Sequence, residues 1–151
     1  MQNKMLPATL LKGTVFVLSV LSSLSLPEGM QAAQQTTSVT AGSWGGEHII
    51  LQVSRGGGEI EFDCAQGKIT QPLLMNRAGD FEVAGTFTPQ HGGPVRRDEN
   101  TVATPAHYSG HIEGQADGQT MTLTVTLDKE KEKLGTFTLV LGSTPRLRKC
   151  V

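Results

Sequence analysis

The chain has 151 residues, the length of one ordinary domain. Its 13 Lys and Arg nearly balance 14 Asp and Glu, for a net charge of -1; this excludes the broad basic face that a general nucleic-acid binder presents to phosphates. Two cysteines are too few for a disulfide-dense scaffold or a four-cysteine zinc site.

Residues 1–33 read as a secretory signal peptide. Lys4 and Lys12 precede an uncharged run from Val15 to Leu26 that holds Phe16, Val17, Leu18, Val20, Leu21 and Leu24, and Pro27, Gly29, Ala32 and Ala33 follow. The run is shorter than the roughly 20 apolar residues that cross a bilayer. No stable membrane span is therefore expected once the leader is removed, and an uncleaved anchor is the alternative. Cleavage is expected after Ala32 or Ala33, with Met30 or Gln31 then standing where a small residue is preferred. An exported location, periplasmic or extracellular, is the expectation. Removal takes Lys4, Lys12 and Glu28, which leaves 11 basic and 13 acidic residues, too even a balance to steer the protein to a charged surface.

Residues 34–43 are polar and are expected to form a flexible arm, with 44–151 as a single domain. Period-two alternation dominates that domain. Ile49, Leu51 and Val53 alternate with His48, Gln52 and Ser54; Ile60, Phe62 and Cys64 alternate with Glu59, Glu61 and Asp63. Phe81, Val83 and Phe87 oppose Asp80 and Glu82, while Tyr108 and Ile112 oppose His107, His111 and Glu113. Met121, Leu123, Val125 and Leu127 alternate with Thr120, Thr122, Thr124 and Thr126, the clearest half-buried strand of all. Phe137, Leu139 and Leu141 supply one more. Turn residues separate these runs at Arg55–Gly58 and at Ala116–Gln119, where Asp117-Gly118 is a favoured hairpin pair. The exception is 88–106, a long stretch with His91, Arg96 and Arg97 and few apolar residues, which is the candidate partner-contact loop. The predicted fold is all-β: an antiparallel up-and-down meander closing into a small barrel of six to eight strands, with a β-sandwich as the alternative.

Beyond the membrane, Cys64 and Cys150 are expected to form a disulfide. In the chain-entropy model so long a loop contributes about 4–5 kcal/mol. The alternative is two independent buried thiols.

Ala41-Gly42-Ser43-Trp44, followed by Gly45, Gly46 and an alternating strand, resembles the Gly-x-Trp opening of calycin-type barrels. These include the lipocalins, the avidins and small exported bacterial inhibitors of metalloproteases. The resemblance implies that Trp44 packs across one end of an up-and-down barrel, with Arg146 or Arg148 against its ring in a cation–π contact. The segments 44–48, 61–65 and 146–150 also resemble small exported bacterial proteins of unassigned function.

Catalytic signals are sparse. No Gly-x-Ser-x-Gly, His-Glu-x-x-His or phosphate-cradling loop occurs. His107 and His111 share a strand face but stand about 13 Å apart along it, too far to hold one zinc ion with bonds near 2 Å. No metal and no cofactor is expected. The expected role is a non-enzymatic, monomeric barrel that binds an unidentified small ligand or protein and no nucleic acid. The alternatives are a calycin-type protease inhibitor using its N-terminal arm, or a hydrolase built on Glu59, Glu61 and Asp63 or on a histidine–metal centre.

Overall fold

The alternating runs become strands that pair with their sequence neighbours. A computed structural model describes residues 36–93, 102–115, 118–129, 131–148 and 150. The expected leader at 1–33, together with Arg96 and Arg97, lies outside those residues. Among them, ten strands and no helix occur: β1 (Thr37–Ser38), β2 (Gly42–Gly46), β3 (Ile49–Ser54), β4 (Gly57–Phe62), β5 (Ala65–Ile69), β6 (Leu74–Met75), β7 (Asp80–Pro89), β8 (Thr104–Glu113), β9 (Thr120–Leu127) and β10 (Lys133–Leu141).

Eight of them close into an antiparallel barrel in the order β2-β3-β4-β5-β7-β8-β9-β10 and back to β2. The closing contact pairs Trp44 with Leu141 and Gly46 with Leu139. Two short strands lie outside this circuit: β6 pairs with β7 through Met75 and Phe81, and β1 pairs with β6. From Thr36 onward, the segment expected as an arm therefore contributes β1, a buried Val39 and the first residues of β2. Val39 N–H donates to Leu73 O at 2.9 Å, and both side chains are buried.

An eight-stranded barrel has an interior just wide enough for side chains, and here side chains occupy it. Trp44, Ile49, Leu51, Tyr108, Met121, Leu123, Val125 and Leu139 have no meaningful solvent exposure, and Phe62, Phe87, Phe137 and Leu141 pack against them. Two large rings fit only because their neighbours are glycine. A methyl group on Gly67 would collide with the Tyr108 hydroxyl, and one on Gly85 would lie 2.9 Å from the Tyr108 ring. A methyl on Gly110 would likewise strike the Phe81 ring. Tyr108 satisfies its own hydroxyl by donating to Thr86 O at 2.7 Å, and burial pushes its phenol far above the ordinary range.

After β10 the chain turns back at Gly142 and runs along the outside of β2. Gly45 makes room for it: a side chain there would run into Ser143 and Pro145. The returning segment bridges in parallel at Glu47 and Arg146. Arg146 N–H donates to Gly46 O at 3.0 Å, and His48 N–H donates to Arg146 O at 2.9 Å.

Candidate functional site

The residues singled out by sequence gather mainly at the end of the barrel to which this tail returns. Cys64 and Cys150 form a disulfide across 86 residues, with their Cα atoms 5.3 Å apart. Alternation placed Cys64 on the inner face with Ile60 and Phe62. β4 instead stops at Phe62, and Asp63 and Cys64 form the turn to β5, where Cys64 is exposed.

The same early stop takes Asp63 away from Glu59 and Glu61, which remain exposed on β4. Asp63 becomes the hub of this end. One carboxylate oxygen accepts the Arg148 backbone N–H at 2.7 Å, and the other lies 2.5 Å from His48 Nδ1. The Arg148 N–H is the largest influence on the Asp63 carboxyl; desolvation opposes it, and the His48 hydrogen bond and charge add to it, so that the carboxyl is held below its ordinary range. His48 adopts φ +67 in the β2–β3 turn, a conformation that side-chain-bearing residues seldom occupy. That geometry lets its backbone bond Arg146 while its ring reaches Asp63.

The long connection begins at the same place. Gln90 N–H donates to Cys64 O at 2.8 Å just after β7 ends, and β8 resumes at Thr104. His91 is exposed, with Nδ1 3.1 Å from Gly92 O. Trp44 lies deep in β2, and its Nε1 donates to Thr40 O at 3.0 Å, toward the opposite end. Arg146 meets Gly46 and His48 through its backbone, and its side chain is exposed.

Sequence reading missed one recurring arrangement. Three of the four histidines each sit between an aspartate and a glutamate on the outer surface. His48 lies between Asp63 and Glu47, at 2.5 and 3.6 Å. His107 lies between Asp128 and Glu82, at 3.2 and 3.8 Å. His111 lies between Asp80 and Glu113, at 2.6 and 3.6 Å. Each aspartate belongs to a different turn or strand from its histidine, so only the strand register reveals the pairing. The His111 ring, and then Asn76, hold the Asp80 carboxyl below its ordinary range.

His107 and His111 thus serve separate carboxylates. Among the described residues, no three His, Cys, Asp or Glu side chains are placed to share a metal ion, and no helix is long and apolar enough to cross a membrane. Comparison with protein-family models, curated proteins and solved structures finds no match to this chain.

Proposed function

We propose that this chain is an exported, non-enzymatic barrel that recognises its partner with its outer surface and encloses no ligand. The observation that carries this reading is the filled interior: Trp44, Tyr108, Met121 and Leu139 take the space that a ligand-enclosing barrel leaves open. One end of the barrel is fastened by both Cys64–Cys150 and Asp63, and the connection that carries His91 departs from it. A rigid base carrying a long loop is a common arrangement for recognition, and pre-ordering such a base lowers the entropic cost of binding. The intramolecular disulfide is compatible with an oxidising compartment, which agrees with the basic, then apolar, start of the chain.

Native mass spectrometry of the protein isolated from its own source tests this reading. The expected mass corresponds to a chain that begins near Gln34, is two hydrogens lighter for the bridge, and carries no stoichiometric apolar molecule. A full-length chain, or one retaining an apolar molecule at one per barrel, overturns it.

A further inference from the structure

We propose that the C-terminal tail is a redox-sensitive strap: reduction of Cys64–Cys150 by a dithiol frees the chain beyond Gly142 while the barrel stays closed. Three observations carry this.

The barrel is complete before the tail begins. β10 closes on β2 through Leu139–Leu141, and among the described residues no further strand follows. The described tail, 143–148 and 150, adds nothing to the buried core. Ser143, Thr144, Arg146 and Arg148 are exposed, and Pro145, Leu147 and Cys150 are half-buried.

The tail is lightly held without its bridge. Beyond the turn at Gly142, among the described residues, hydrogen bonds fasten it at two places. Arg146 exchanges backbone bonds with Gly46 and His48 at 3.0 and 2.9 Å, and Arg148 N–H donates to Asp63 at 2.7 Å. Such bonds have a small net worth because water replaces them, and a segment with few buried apolar contacts opens at little cost. The disulfide alters that balance. With β10 paired at one end and Cys150 tied at the other, the short segment between them gains little freedom by leaving. A cut bridge restores to the free end the conformational entropy of an open chain.

The bridge can be reached, since Cys64 is exposed in the β4–β5 turn. A thiolate of the dithiol attacks Cys64 Sγ, the sulfur–sulfur bond breaks, and Cys150 leaves as a thiolate that takes up a proton. The second thiolate of the dithiol then attacks the dithiol's own sulfur in the mixed disulfide, and Cys64 leaves and is protonated in turn. Two electrons pass to the protein, and the dithiol ends as its disulfide.

Release changes the surface at this end. It withdraws Arg146 and Arg148 from Gly46 O, His48 N–H and Asp63, and it uncovers the outer face of Gly45 that Ser143 and Pro145 now occupy. Glu47 and Asp63 stay behind, so the end becomes more acidic. That a partner distinguishes the two forms rests on the reading of the barrel as a surface recogniser; the release itself does not.

The test is 15N relaxation of the disulfide-bonded protein before and after addition of dithiothreitol, without denaturant. Order parameters at residues 146, 148 and 150 should fall from about 0.85 to below about 0.6, those of the barrel strands should hold, and oxidised glutathione should restore the first state. Cys150→Ser should show the mobile tail with no reductant present. An ordered tail after reduction, a barrel that melts together with the tail, a tail that does not reclose, or a bridge that resists dithiothreitol until denaturant is added overturns the proposal. None of these outcomes bears on the mass-spectrometric test of the filled interior.

Discussion

The Arg148 backbone N–H donates to Asp63 Oδ1 at 2.7 Å across 85 residues of sequence. With His48 on the other carboxylate oxygen, this single side chain ties together the β2–β3 turn, the β4–β5 turn and the C-terminal tail. Asp63 and Asp80 both have carboxyls held below the ordinary aspartate range in the folded protein. A carboxyl depressed by folding stabilises the native state above its unfolded value, and that contribution is lost as pH falls through the folded value. Thermal unfolding should therefore show a falling midpoint as pH drops below about 4. Asp63→Asn should reduce the size of that fall. An identical acid profile in the variant contradicts the role given to Asp63.

Cys64 and Cys150 close a loop of 86 residues. In the chain-entropy model their loss costs about 4–5 kcal/mol. Cys64→Ser, Cys150→Ser and the double variant should lower the denaturant midpoint by the same amount, since each breaks the same bond. An additive double variant would indicate that the two residues contribute separately.

Gly67 and Tyr108 are complementary, because the ring hydroxyl occupies the place of the missing methyl. Gly67→Ala should cost about 1–3 kcal/mol by overpacking. Tyr108→Phe should cost about 1 kcal/mol for the bond to Thr86 O. Combined, the two should cost less than their sum, because the Phe variant removes the colliding oxygen. Ile60 also crowds a methyl at Gly67, so the relief should be partial. Strict additivity in this cycle contradicts the packing described.

Trp44 is the single tryptophan and is fully buried. Trp44→Ala should destabilise the barrel by about 3–5 kcal/mol. Emission from the native protein should be blue-shifted and should move to longer wavelength on unfolding. A native spectrum already at the solvent-exposed position contradicts the placement.

Much of the barrel is legible in the sequence because burial on one side of a sheet imposes a period of two. Met121, Leu123 and Val125 face inward and the threonines between them outward, as the alternation requires. The same rule places His107 and His111 outside and Tyr108 inside. Alternation carries no mark of where a strand stops, which is why Asp63 and Cys64 read as a continuation of β4 and not as the turn that makes them neighbours of His48 and Cys150. Nor does it reveal two-residue strands such as β1 and β6, which are too short to show a period. The pairing of each histidine with an aspartate depends on cross-strand register, as at His111 and Asp80. Register is set jointly by turn lengths and by the whole inward-facing set, and no local motif encodes it.

The filled interior is the central claim, and titration with an uncharged apolar fluorophore, N-phenyl-1-naphthylamine, tests it most directly. The account predicts no saturable rise in emission from the native barrel and no energy transfer from Trp44 at stoichiometric probe. Saturable binding of one probe per chain, with quenching of Trp44 at matching concentrations, contradicts it.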